Sequence, residues 1–126
     1  MLDLLERLKD NIRGLGLEIV QNINTEDDSI AIAALPGGRV IQEYYGGMKD
    51  KELNYEIRGK TKDPKKTEEE LTQISDHLTD LQALPSLNGS YEFIGVTVSD
   101  EPYFIEADDQ AFFHFALGFS VRVTVF

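Results

Sequence analysis

The side chains with most chemistry to offer are two histidines, His77 and His114, and 23 aspartates and glutamates. Cysteine is absent, which removes thiol nucleophiles, disulfides and thiolate metal ligands. A zinc site wants three or four converging ligands, and here they would have to be imidazoles and carboxylates. Asp76 and Asp80 flank His77, but on a helix that spacing is also the ordinary pattern of a solvated face. His114 falls on the polar side of an alternating run. Carboxylate pairs have simpler explanations: Glu68 to Glu70 suit a helix start, and Asp108-Asp109 suits a turn. A glycosidase-type pair needs carboxylates set among apolar groups at strand ends, and Glu106 is the one candidate. Gly37-Gly38 and Gly46-Gly47 do not lie between a strand and a helix, as a phosphate loop requires. No G-x-S-x-G nucleophile motif occurs. The expectation is a protein with no catalytic residues, no metal and no cofactor, and so not an enzyme.

Whatever these side chains do, 126 residues must position them, which is the size of one domain with a real core. The composition, 41% hydrophobic and 28% charged, excludes the disordered class. No apolar run approaches the roughly 18–20 residues of a membrane span. The N-terminal MLDLLERLKD mixes leucines with charges of both signs, unlike an export signal, so a cytosolic protein is the default. The net charge of −11 is unevenly spread. Residues 49–66 hold seven of the twelve basic side chains, Lys60, Lys62, Lys65 and Lys66 among them, whereas residues 67–126 hold Arg122 against eleven acids. A chain this acidic repels a nucleic-acid duplex at long range, so no specific nucleic-acid binding is expected. The basic stretch reads either as a solvated loop or as a positive patch that meets a negative patch on another copy.

The expected fold class is α+β, a mostly antiparallel β-sheet with two amphipathic helices packed on one face, in a single domain over residues 1–126. Leu5, Leu8, Ile12 and Leu15, with Leu4 beside them, stripe a first helix from Met1 to about Leu15. Leu17 to Val20 is extended, and Asn24 to Ser29 is a polar turn. Ser29–Leu35 and Arg39–Tyr45 read as the two arms of a hairpin turning at Pro36-Gly37-Gly38. A strand follows with Leu53, Tyr55 and Ile57 on one face, then a polar loop from Gly59 to Lys66. Thr67 and Glu70 form a capping box for a second helix, seamed by Leu71, Ile74, Leu78 and Leu81 and stopped by Pro85. Tyr91–Val98 is a strand facing inward with Ile94, Val96 and Val98. Asp100-Glu101-Pro102 turns the chain before a short strand from Tyr103 to Ile105. From Phe113 to Val125 every odd residue is apolar, which can hardly be anything but β-structure. Thirteen residues at about 3.3 Å span roughly 43 Å, against a diameter of about 36 Å for a domain this size. Such a strand must bend, with Gly118 the expected bulge, or reach past the body.

Tyr44, Tyr45 and Met48, with Phe112 and Phe126 out of phase with the apolar face, are candidates for a contact surface, because buried interface centres favour such side chains. The order of elements, with the P-G-G hairpin, the strand ending Ile57-Arg58-Gly59 and the helix from Thr67 to about Leu84, resembles the minor capsid and tail-terminator proteins of long-tailed bacteriophages. The resemblance implies a structural subunit of the virion, assembled in the host cytoplasm. It implies a homo-oligomeric ring, usually of six copies, at the head-proximal end of the tail, with the tail tube and the head connector as partners. It carries no catalytic residues. The candidate subunit interface is then Tyr44, Tyr45, Met48, Lys60, Lys62, Lys65 and Lys66. An acidic intracellular binding module, such as an immunity or antitoxin protein, is the alternative.

Overall fold

Strict alternation makes the last strand the spine of the molecule. The computed structural model describes residues 2–21 and 29–126; of the polar turn expected from Asn24 to Ser29, all but Ser29, which opens a strand, lies outside them. The elements in chain order are α1 (Leu4–Arg13), β1 (Val20–Gln21), β2 (Ser29–Glu43), β3 (Lys49–Thr61), α2 (Pro64–Thr79), β4 (Tyr91–Ala107) and β5 (Phe113–Val125). They build one five-stranded sheet in the order β1-β2-β3-β5-β4. All pairings are antiparallel except the short β1 beside β2. The expected α+β class holds.

Phe115, Leu117, Phe119, Val121 and Val123 of β5 are buried, as the alternation requires. Tyr55 on β3 stacks on Phe119, ring centres 5.6 Å apart. Onto this face α2 lays Leu71, Ile74 and Leu78, all fully buried, and α1 lays Leu4, Leu8 and Ile12. Both helices and the sheet share one apolar cluster. The α1 stripe is the four-residue series from Leu4; Leu5 is only partly buried, and Leu15 follows the helix end. Leu81 also packs at the margin, because α2 stops at Thr79, earlier than the expected Leu84. The chain from there to Tyr91 is irregular but anchored, with Leu84 buried and its carbonyl accepting from the Tyr91 hydroxyl at 2.7 Å.

Four expectations change, each for a local reason. Pro36-Gly37-Gly38 is not a hairpin turn. It is a register shift inside the continuous fifteen-residue β2, and the chain reverses instead at Gly46-Gly47, both at positive φ. The loop from Gly59 to Lys66 does not exist as a loop, because Gly59–Thr61 complete β3 and Pro64–Lys66 open α2. The α2 cap is Asp63, whose side chain accepts from the Lys66 amide at 3.2 Å, with Pro64 in the first turn. Thr67 is therefore inside the helix and buried. Finally, Asp100-Glu101-Pro102 does not end a strand. Seventeen residues of β4 lie against thirteen of β5, and the four extra residues are register shifts on β4. The shift at Phe93/Gly95 puts Ile94 out of phase, so it is exposed while Val96 and Val98 pack inward. Gly118 stays in register on β5, opposite Asp100 of the displaced strand.

Two substitutions test this packing. Phe119→Ala empties a buried aromatic site and is expected to cost about 3–5 kcal/mol in urea denaturation; a cost under about 1 kcal/mol would place the core on the wrong face. Gly59 is where α2 crosses β3 closely: a Cβ there would come within 2.5 Å of Thr67 Cγ2. Gly59→Ala is expected to cost about 1–3 kcal/mol by overpacking. Adding Thr67→Ser, which deletes the clashing methyl, should recover a good part of that loss in a double-mutant cycle.

Candidate assembly interface

The seven candidate interface residues do not form one patch. Tyr44, Tyr45 and Met48 sit in the turn between β2 and β3, where the Tyr44 amide donates to the Met48 carbonyl at 2.8 Å. Lys60 lies at the other end of β3, Lys62 just beyond it, and Lys65 and Lys66 in the first turn of α2. Met48 and Lys60 are separated by nearly the length of β3, about 40 Å at the usual rise.

At the turn, Tyr45 is fully exposed, and Tyr44 and Met48 are well exposed. Tyr44 is oriented: its hydroxyl donates to Asp50 Oδ2 at 2.7 Å, and Thr124 Oγ1 donates to Asp50 Oδ1 at 2.6 Å. These two hydrogen bonds, Thr124's first, hold the Asp50 carboxyl below the usual carboxylate range. The hydrogen bond to Asp50 raises the Tyr44 phenol in turn. The turn thus presents one fixed and one free tyrosine, with Phe126 exposed beyond the end of β5.

At the lysine end, Lys60 and Lys62 carry their ammonium groups 4.6 and 5.0 Å from the centre of the Phe112 ring. Phe112 is buried, so it is a support beneath the lysines and not the surface residue expected. Lys66 lies 3.9 Å from Glu70 on its own helix. Lys65 makes no ion pair among the described residues. Beside Phe112, Asp108 accepts from the amides of Gln110 and Phe112 and pairs with His114 at 2.9 Å. The His114 contact, then the Phe112 amide, lowers the Asp108 carboxyl. His114 is thereby a structural partner of a turn aspartate. His77 meets Asn11 across the two helices. Glu106 is exposed and stands opposite His114 in register. Among the described residues, no three side chains of metal-ligating type converge, and no helix is long and apolar enough to cross a membrane.

Sequence reasoning missed one set of surface residues. Leu35, Val40 and Ile41 on β2, and Ile94, Tyr103, Phe104 and Ile105 on β4, are all exposed. Of these, Ile94 was placed on one face with Val96 and Val98 by alternation through a strand that in fact carries bulges, and the others were given no face. The signal that could have found them was the Pro and Gly residues inside those runs.

The buried core is one-sided, and apolar side chains stand exposed on the outer strands and at the β2–β3 turn. The family model described as bacteriophage tail terminator protein matches residues 13–125. The chain belongs to that family and has a structural role in the phage tail as a component of the virion. No curated protein matches it.

The geometry predicts an acid response. Asp3 is lowered as well: burial would raise it, but donors from Ser86, the Leu87 amide and Ser90 outweigh that. For Asp3, Asp50 and Asp108 the folded pKa lies below the unfolded value near 3.9. Their contribution is full above that value and is lost as pH falls through the folded pKa values. The urea midpoint should drop below about pH 4, and Asp50→Asn with Asp108→Asn should flatten that drop. An unchanged slope in the double variant would mean these contacts do not couple to folding.

Proposed function

We propose that this chain, folded as one domain over residues 1–126, is the subunit of a ring at the head-proximal end of a phage or prophage tail. There it ends growth of the tail tube and offers a surface to the head connector. The ring is homo-oligomeric, with six copies as the expected number, and forms on tails in the host cytoplasm. The observation that carries this proposal is the family match across residues 13–125. Support also comes from the placement of Tyr44, Tyr45 and Met48 at one end of the sheet and of Lys60, Lys62, Lys65 and Lys66 at the other. A subunit that contacts different neighbours needs different surfaces, and identical subunits in a ring meet through unlike patches. The match favours this role over an acidic binding module.

Deleting the gene from the phage should yield tails of irregular length that fail to join heads, seen by electron microscopy. Normal-length, head-joined tails would sink the proposal. Reversing all four lysines would disturb the fold too, because Lys60 and Lys62 cover Phe112. Lys65→Glu with Lys66→Glu isolates the surface. That pair should leave the circular dichroism unchanged and lower the fraction of correctly capped tails, and raised salt should weaken the parent contact modestly by screening. Capping equal to the parent would remove the lysine end from the interface.

A further inference from the structure

Three of the bulges on the outer strands are filled by isoleucine. Ile41 is the extra residue between Val40 and Gln42 on β2. Ile94 and Ile105 are the extra residues between Phe93 and Gly95, and between Phe104 and Glu106, on β4. Each lacks a cross-strand partner, and they are 43%, 50% and 38% exposed. Bulges on edge strands usually protect against pairing, and are commonly helped by lysine or another charge. Isoleucine at all three positions does the opposite, because a bulge re-aims its side chain off the regular face and here aims an apolar one into water.

Both strands have an open side. β4 is the end of the sheet order, and β1 covers only Ala31 and Ile32 of β2, so among the described residues no strand pairs with the rest of either edge. Ile41 lies near the β2–β3 turn, at the end where Lys49 pairs with Val125. Ile105 lies near the β4–β5 turn, at the end where Thr61 pairs with Phe113. The two are therefore at diagonally opposite corners of the sheet and cannot meet within one molecule.

Their surroundings differ in charge. Residues 91–109 contain six acids, Glu101 and Glu106 flanking the Ile105 corner, and no lysine or arginine. At the other corner Val40 pairs with Lys51 and Glu43 with Lys49. Lys49 and Lys51 share the helix-side face with Val125 and Val123. Asp50 and Glu52 point to the other face of the sheet, where Asp50 accepts from Tyr44 and Thr124 and Glu52 reaches Arg39 and Arg122. Lys51 makes no ion pair among the described residues, and Lys49 reaches Glu43 only at 4.0 Å.

We infer that the acidic, isoleucine-bearing β4 edge of one copy docks against the β2–β3 corner of a second copy, which bears Ile41 and, on its helix-side face, Lys49 and Lys51. Ile105 faces Ile41, and Glu101 and Glu106 face Lys49 and Lys51. This deepens the ring reading and rests on it: the contact is heterologous, so each copy keeps one free corner of each kind until a closing rotation completes the assembly.

The absence of cysteine makes the test direct. Ile41→Cys and Ile105→Cys proteins, prepared separately and mixed under mild oxidation, should form a mixed disulfide faster than either forms with itself. Both should outpace a Gln82→Cys control on an exposed, irregular segment. Glu101→Lys with Glu106→Lys in the Ile105→Cys partner should slow the cross-link, and Lys49→Glu with Lys51→Glu in the other should restore it. Tails from a phage carrying both cysteines in one chain should give a covalent ladder on oxidation. Cross-linking at the control rate in solution and no ladder from tails would overturn the inference. The two proposals fail separately. Irregular tails in the deletion phage without cross-links would remove this contact and keep the terminator role; cross-links with normal tails would do the reverse.

Discussion

Thirteen residues of β3 lie against thirteen of β5 without one register shift, and the rest of the molecule depends on that regular pair. Period-two alternation can bury one face only while the register is unbroken, since a slip of one residue moves every side chain to the other face. Leu53, Tyr55 and Ile57 on β3 meet Val121, Phe119 and Leu117 on β5, row by row. These rows are the floor onto which α2 and α1 pack. Irregularity is then confined to the outer strands. β2 uses fifteen residues where β3 uses twelve to pair with it, and β4 uses seventeen to pair with thirteen of β5. Bulges bend and twist the strand that carries them. The bending thus falls on β2 and β4, and β5 keeps its full run without a bulge at Gly118.

The inner pair was legible for the same reason that it is regular. Alternation over β5 identified its bounds to the residue, and the leucine seam of α2 identified three of its five buried positions. The outer strands were misread where Pro and Gly interrupt them. Pro36-Gly37-Gly38 and Asp100-Glu101-Pro102 carry turn chemistry, and local reasoning gives each the stronger of its two meanings, a reversal. Which meaning applies depends on whether a partner strand continues past the break. β3 continues opposite β2, and β5 continues opposite β4, a long-range fact that no local window contains. The α2 start was misplaced by a similar competition. Thr67 with Glu70 fits a capping box, but Asp63-Pro64 satisfies the same orphan amides one turn earlier.

The interface candidates were legible by residue type and not by place. Composition shows that residues 49–66 are basic, but only the fold shows that Lys60 and Lys62 are spent on Phe112, and that the tyrosine turn is a strand length away. The edge isoleucines were invisible as surface for the opposite reason. Ile94 and Ile105 look like core by residue type, but each is itself the extra residue of a bulge, which turns that inference over. The family match spans both groups of residues, so membership alone does not choose between them.

The face of the sheet away from the helices decides where association can occur. It is polar, and its polar groups largely satisfy one another across strands. Ser120 donates to Asn54 at 2.8 Å, Arg122 and Arg39 both reach Glu52, Arg58 pairs with Glu56, and Thr124 and Tyr44 both donate to Asp50. Covering this face would strip water from charges that already have partners, at a desolvation cost with little new interaction in return. The helix-covered face is occupied by α1 and α2. What remains are the edges of β2 and β4 and the two turns, where apolar side chains stand in water and where contact would release it. With both broad faces committed, the edges and turns are the surfaces left for the contacts proposed above. That constraint follows from the register of β3 on β5, since the register sets which residues face the helices and which face each other.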